Sequence, residues 1–441
     1  MRVCLYTLGC KVNQYETEAM REDFLRRGFT VVPFGEPCDV FVINTCTVTA
    51  ESDAKSRRMA RRAKRENPAA LVVMVGCFVD ASPGAADIGD ADLLFGNADK
   101  QRLAQLVEER LKSRGEGASG AQGDDGAKRG AISPQGGEGC DSPRITRFEG
   151  HTRAVIKIED GCESFCSYCV IPYARGPVRS KPIPDILSEV RGLVQNGYRE
   201  IVLTGIHLAS YGKDKGFEFN LCDAIEACAD VPGLSRLRLG SLEPAFITPE
   251  NVARMAAVPI LCPHFHLSLQ SGCDETLRRM NRRYTTQDFA RGVELLRKAF
   301  ADCAITVDII AGFPGETQQE FGATCDFVRR MRFSGAHIFV YSRRQGTRAA
   351  DMPGQVPEPE KKRRARILAD AERISRFSYR RAFEGRVLPV LFESAVCEGV
   401  YEGLTVHHIP VRVRSDEPLT NTERMVRMGT CGDKACEGEL V

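Results

Sequence analysis

Along residues 1–112, apolar positions follow two alternating rhythms. Residues 3–7 form an apolar, β-rich run. Residues 16–27 repeat apolar positions at helical spacing and stop at Gly28. Residues 39–44 (DVFVIN) and 71–75 are further apolar runs, with a helical pattern over 53–66 between them. Near-continuous apolar strands separated by helices predict a parallel sheet with crossover helices, an N-terminal α/β domain.

The rhythm stops between Ser113 and Cys140. Nine of these 28 residues are glycine and none is aromatic, too little apolar surface to fold on. A glycine-rich linker over 113–147 is therefore expected. Beyond it, strand patterns recur at 154–158, 200–204, 236–240, 264–269, 305–310 and 337–341, with helical patterns between them, as at 184–196 and 286–301. Six β/α units over 148–383 predict a partial barrel rather than a closed eight-fold one. A long charged helix, about 358–383, leads away from it. Residues 384–441 read as a small all-β module punctuated by turns.

Composition narrows the class. The 441 residues, 43% hydrophobic and 27% charged, suit a soluble globular chain of two or three domains. No apolar run is long enough for a transmembrane helix. The N-terminus lacks the basic flank and cleavage site of a signal peptide, so a cytoplasmic location is expected. Eighteen cysteines are many for such a chain, and metal or cluster ligation explains some of them better than disulfides. The formal net charge of +2 neither demands nor forbids nucleic acid.

The sharpest motif is Cys162-x3-Cys166-x2-Cys169, directly after the first barrel strand. Three thiolates this close on a loop can bind three irons of a cubane, leaving the fourth iron for an exchangeable ligand. A zinc site would want a fourth protein ligand and a CxxC partner pair, and neither is nearby. The position also fits, because active sites of such barrels lie at the carboxyl ends of strands. Cys10, Cys46 and Cys77 each follow one of the three N-terminal strands. In a parallel sheet those ends share a crevice, so the three converge into a second three-thiolate site. Singly, each is equally well a buried apolar cysteine.

The cysteine spacing and the six-unit barrel resemble the radical S-adenosylmethionine superfamily. With TLGCKVNQYE, NTCTVT, LQSGCDETLRRMNRRYT, DIIAGFPGET and YSRRQGTRAA, nearly the whole chain is similar to the methylthiotransferases. The cues resemble the branch acting on N6-threonylcarbamoyladenosine beside the tRNA anticodon. The isopentenyladenosine branch has glutamine and methionine, and the ribosomal-protein branch proline and lysine, where this chain has Lys11 and Val12. The resemblance implies two [4Fe–4S] clusters and two molecules of S-adenosylmethionine, one a methyl donor and one the source of a 5′-deoxyadenosyl radical that abstracts hydrogen from C2 of adenine. It implies tRNA as substrate, a flavodoxin- or ferredoxin-like electron donor, and a C-terminal RNA-binding β domain called TRAM. Alternatives are the same chemistry on isopentenyladenosine or on a ribosomal protein aspartate, and a non-catalytic RNA-binding iron–sulfur protein.

Other candidates are softer. Thr204 and Gly205 align with the loop that, in the superfamily, meets the methionine amino group; an ordinary strand-end turn is the alternative. Glu243, Gln270 and Ser271 occupy equivalent strand-end positions, fit for cofactor or nucleotide. Glu316 and Thr317 suit a helix start as well as catalysis. Arg58, Arg61, Arg62 and Arg65 share one helical face that suits tRNA phosphates or plain solvation. Arg175 and Arg179 form a second phosphate candidate. The last module, with ten Asp/Glu against six Lys/Arg, is a weak RNA binder on charge alone. Cys431-x4-Cys436 reads as incidental.

Overall fold

The computed structural model describes residues 1–82, 90–116, 144–216 and 218–441. It opens with five parallel strands, β1 (Arg2–Thr7), β2 (Thr30–Val31), β3 (Val40–Thr45), β4 (Leu71–Gly76) and β5 (Leu93–Phe95), in the order β2-β1-β3-β4-β5. Every residue of β3 and β4 is buried, because helices cover both faces of the sheet. On one face Val40, Val42, Leu71 and Val73 pack with Phe24 of α1 (Lys11–Arg26) and Val107 of α4 (Leu103–Glu116). On the other, Phe41, Ile43 and Val72 meet Ala60 and Ala63 of α2 (Ala50–Glu66) and Phe78 of α3 (Cys77–Asp80). Helix α1 begins at Lys11, earlier than its apolar spacing indicates. Asn13 and Glu16 on its buried face are polar and hide the period. Strands β2 and β5 are too short to show one.

Of the predicted linker, only the flanks 113–116 and 144–147 are among the described residues. The second sheet system is parallel throughout except for the short antiparallel pair β7 (Glu159–Asp160) and β8 (Arg179–Ser180). Strand β6 (Arg153–Lys157) pairs with β9 (Glu200–Thr204), and β9 with β10 (Arg236–Leu239). Past Gly240, β11 (Ser241–Leu242) continues the row to β12 (His264–Gln270), β13 (Ala304–Ala311) and β14 (Gly335–Val340). Contact between Leu237 and Leu261 joins the two halves. Six positions in one row make the partial (β/α)6 barrel that the strand spacing predicts. Among the described residues, β6 and β14 do not pair.

The helices that follow are α5 (Ile171–Arg175), α6 (Ile183–Gln195), α7 (Leu221–Ala229), α8 (Pro249–Ala256), α9 (Asp274–Arg279), α10 (Thr286–Ala299), α11 (Gln318–Met331) and α12 (Arg348–Asp351). The charged α13 (Glu358–Arg381) packs along β14. Five strands, β15 (Val387–Cys397), β16 (Val400–Thr405), β17 (Pro410–Arg414), β18 (Glu423–Cys431) and β19 (Cys436–Leu440), then close a small barrel. Cys431 and Cys436 are not incidental: opposite one another on β18 and β19, they form a disulfide. Among the described residues no helix is long and apolar enough to cross a membrane.

The small barrel docks on the amino ends of the large barrel's strands. There Arg236 donates to the carbonyls of Leu404 and Pro389 and pairs with Glu423 at 2.6 Å. The N-terminal unit docks through buried charge. Arg175 at the end of α5 reaches Glu16 of α1 at 2.8 Å and Asp160 at 3.0 Å. Lys157 bridges Glu16 and Asp160, each at 3.0 Å, and Lys100 adds a third cation to Glu16. Burial alone would raise Glu16, yet Arg175, Lys100 and Lys157 outweigh it and hold its carboxyl well below the usual range.

Glu16→Gln removes the carboxylate that Arg175, Lys157 and Lys100 share and leaves Asp160 alone against them, which costs about 3–5 kcal/mol. Urea unfolding followed by circular dichroism should show that loss at neutral pH. A folded-state pKa below the unfolded value gives stability that is present above about pH 4.3 and lost on acidification. The gap between wild type and variant should therefore close as the pH falls below that value.

Candidate active site

The N-terminal cysteine set follows from strand register. β3 and β4 run level to Thr45 opposite Gly76, so Cys46 and Cys77 emerge side by side. β1 ends level with them, with Thr7 opposite Asn44, and Cys10 comes next as the residue before α1. Gly9 is required here, since a Cβ on it would lie 2.6 Å from Cys46 Cβ and 2.9 Å from its sulfur. Cys46 and Cys77 are buried, while Cys10 is exposed at an open cavity. Protein nonetheless surrounds Cys10, and burial raises its thiol, as it does that of Cys46.

Cys162, Cys166 and Cys169 lie on the loop between β7 and α5. The Cys162 amide donates to Gly176 O and the Cys169 amide to Cys166 O, both at 3.0 Å. The Ser167 hydroxyl anchors the loop on Arg279 O at 2.8 Å. Burial raises Cys162 and pushes Cys169 up to about 12. Both sets therefore hold thiols that an electrophilic metal would have to deprotonate.

Each set also receives an arginine on one sulfur. Arg282 Nη1 donates to Cys166 Sγ at 3.1 Å, and Arg175 Nε to Cys77 Sγ at 3.3 Å. Asn97 Nδ2 lies 3.5 Å from Cys77 Sγ and donates to Ala174 O of α5 at 3.0 Å. Helix α5, starting two residues past Cys169, thus carries the loop of one set onto the corner of the other. Among the described residues no three His, Cys, Asp or Glu side chains sit close enough to share one metal ion. A cubane differs, since its corners hold three thiolates apart. All-sulfur donor sets with cationic hydrogen bonds fit anionic iron–sulfur clusters.

Thr204 and Gly205 border the cavity, together with Gly240 and Ser241. A Cβ on Gly205 would sit 2.4 Å from Glu159 Oε2, so only glycine allows that approach. Glu159 is fully buried; its Oε2 accepts from the His207 amide at 2.7 Å, and Oε1 has no hydrogen-bond partner. Burial, with some help from Asp160, pushes this carboxyl up to about 8. Gln270 adopts the left-handed conformation (φ 63°) at a bulge in β12, a strained backbone that the fold sustains beside the site.

Several expectations change. Arg175 cannot meet tRNA phosphates: its side chain is 0% exposed and consumed by Glu16, Asp160, Asn13 and Cys77. Ser271 is fully buried and turned to Thr324 Oγ1 at 3.2 Å, so it braces α11 instead of touching a cofactor. Glu243 pairs with Arg282 and thereby aims that guanidinium at Cys166. Glu316 pairs with Arg364 at 2.7 Å, and Thr317 caps α11 by accepting from the Glu320 amide. Arg179 is partly exposed and hydrogen-bonded to Arg175 O and Pro177 O. Arg58, Arg61, Arg62 and Arg65 are exposed; Arg61 pairs with Asp90 and Arg62 with Glu66. Arg282 and Asn97 were not foreseen, since one arginine in an arginine-rich run and one loop asparagine carry no periodic signal.

The cavity beside Cys10 measures about 760 Å³ and runs down the barrel lumen. Lys11 enters it from α1, and five of the seven histidines line it. Its wall is about half polar and half apolar, as suits a ligand with several hydrogen-bonding groups.

Replacing Arg282 by Met removes a positive charge and a hydrogen bond from Cys166. The reconstituted cluster at Cys162, Cys166 and Cys169 should become harder to reduce. A redox titration followed by electron paramagnetic resonance should place its midpoint potential below the wild-type value.

Comparison with known proteins agrees with this geometry. Residues 156–328 match the radical SAM superfamily, and residues 2–96 match the uncharacterized protein family UPF0004. The chain is 36% identical to the threonylcarbamoyladenosine tRNA methylthiotransferase MtaB of Bacillus subtilis, over 100% of this chain and 96% of that relative. It is 37% identical to the protein of that name from Thermotoga maritima, over 92% and 90%. The tRNA-2-methylthio-N(6)-dimethylallyladenosine synthase of Acetivibrio thermocellus is 31% identical over 99% and 90%. Among solved structures, the radical S-adenosylmethionine methyltransferase TsrM of Kitasatospora setae shares the fold, with a TM-score of 0.56 at 18% identity over 79% of this chain and 77% of that one. The chain belongs to the radical S-adenosylmethionine methylthiotransferases.

Proposed function

We propose that this enzyme transfers a methylthio group to C2 of N6-threonylcarbamoyladenosine at position 37 of tRNA. In this reading Cys162, Cys166 and Cys169 hold one [4Fe–4S] cluster, and Cys10, Cys46 and Cys77 hold a second. The observation that carries it is the meeting of two three-thiol sets across α5, with Arg175 and Asn97 of opposite units on the same Cys77 sulfur. Relatives at 36% and 37% identity bear the threonylcarbamoyladenosine name, against 31% for the dimethylallyladenosine synthase.

When bound, the clusters and S-adenosylmethionine supply the electron, the hydrogen-abstracting radical and the methyl and sulfur atoms. This chain's residues hold and orient. Arg282, held by Glu243, and Arg175, held by Glu16 and Asp160, offset charge at one thiolate of each set. Gly205 leaves backbone room at the cavity rim. The buried docking of the units shields the Cys77 side of the site from water, which protects a carbon-centred radical. A flavodoxin- or ferredoxin-like donor supplies the electron, and the reaction takes place in the cytoplasm. The exposed face of Arg58, Arg61, Arg62 and Arg65 contributes phosphate contacts.

With Cys10, Cys46 and Cys77 changed to Ala, iron in the anaerobically reconstituted protein should drop from about eight to about four per chain. Cleavage of S-adenosylmethionine to 5′-deoxyadenosine should survive and methylthiolation should stop. Mass spectrometry of tRNA nucleosides tests the substrate: deletion of the gene should abolish 2-methylthio-N6-threonylcarbamoyladenosine, and its persistence in a strain without a paralogue would refute the assignment. Arg58→Ala and Arg65→Ala should each weaken tRNA binding and lower the slope of log affinity against log salt by about 1. Filter binding at several salt concentrations reads both effects.

A further inference from the structure

Among the described residues, the cation in the lumen beside Cys10 has no ion-pair partner. Lys11 is the first residue of α1, so its backbone is fixed next to Cys10 while its side chain opens into the cavity. Charged groups near it are matched. Arg153, Arg236 and Arg238 pair with Glu393, Glu423 and Glu200. Arg376 pairs with Glu372, and Arg380 donates to the carbonyls of Gly432 and Asp433. Asp308 Oδ2 lies 3.1 Å from His266 Nε2. Among the described residues, Lys11 has neither an ion pair nor a hydrogen bond.

His264 and His408 do not supply further positive charge here. Burial and the neighbouring His408 and Arg238 keep His264 well below the ordinary imidazole range, and burial with Arg238 does the same for His408. Thr204, Ser241, Thr306 and His337 complete a wall rich in hydrogen-bonding groups. An occupant suited to this lumen carries one negative charge and several polar atoms. An apolar one would desolvate the ammonium without replacing its water.

Building on the threonylcarbamoyladenosine reading, we propose that the lumen receives the N6 substituent of the target base. The Lys11 ammonium pairs with the threonyl carboxylate at its far end. This makes Lys11 a specificity-determining residue, favouring an acidic N6 substituent over a dimethylallyl group. The base is thereby drawn in by its substituent, with its ring left at the cavity rim beside Cys10 and Gly205.

The test compares the wild-type holoenzyme on two versions of one anticodon stem-loop RNA. One carries threonylcarbamoyladenosine and the other its carboxamide analogue, in which the carboxylate is replaced by an uncharged amide. Wild type should prefer the acid by about ten-fold or more in kcat/KM, as expected for a lost charge-assisted hydrogen bond. In Lys11→Met that preference should vanish, chiefly through a raised KM for the acid; Lys11→Arg should retain part of it. Iron content is measured on each variant, because Cys10 is adjacent. Equal use of the two RNAs by wild type would overturn the proposal whether or not the variants fold. So would an undiminished preference in an iron-replete Lys11→Met. No turnover of the acid by wild type would instead strike the substrate assignment itself.

Discussion

A buried salt-bridge network locks the two halves of the active site against each other. Glu16 comes from the N-terminal sheet unit, Asp160 and Arg175 from the barrel, and Lys100 and Lys157 from one side each. Charges this deep are tolerable only when each finds a partner and its hydrogen bonds. The network therefore admits one relative placement of the two units, where an apolar interface would allow sliding. Arg175 belongs to that lock and also touches Cys77. The same contact that fixes the domains fixes the distance from one thiol set to the loop of the other.

Around this lock the barrel is closed at its other end by a different device. Arg236 and Arg238 reach from β10 into the carbonyls of the C-terminal barrel, and His264 stacks on His408 at 4.5 Å. The lumen is thus walled by all three parts of the chain. Its polarity is what a barrel interior acquires when it has to receive a hydrogen-bonding ligand instead of filling itself with branched apolar side chains. The acidic balance of the C-terminal module fits a part whose basic neighbours are spent on docking.

Much of the site was legible because it rests on register and spacing. Cys162, Cys166 and Cys169 are close in sequence, so a loop alone brings them together. Cys10, Cys46 and Cys77 lie at the ends of three apolar runs, and parallel pairing levels such ends. What remained illegible were side chains whose role depends on a partner from elsewhere. Arg175 looked like a phosphate ligand and is an interior ion pair. Ser271 looked like a cofactor contact and braces a helix. Cys431 and Cys436 looked incidental and face each other across two strands.

The sequence by itself determined the class of each element, the six-unit barrel and the placing of two three-cysteine sets at strand ends. These follow from local periodicity and from short spacings, which act within a few residues. Only the tertiary structure decided which charges are buried, which arginines are free for a phosphate, and that Lys11 stands in the lumen without an ion pair among the described residues. Those outcomes depend on solvent exclusion and on partners up to hundreds of residues away, as with Arg344 on Asp53 and Arg175 on Glu16. No pattern along the chain encodes them.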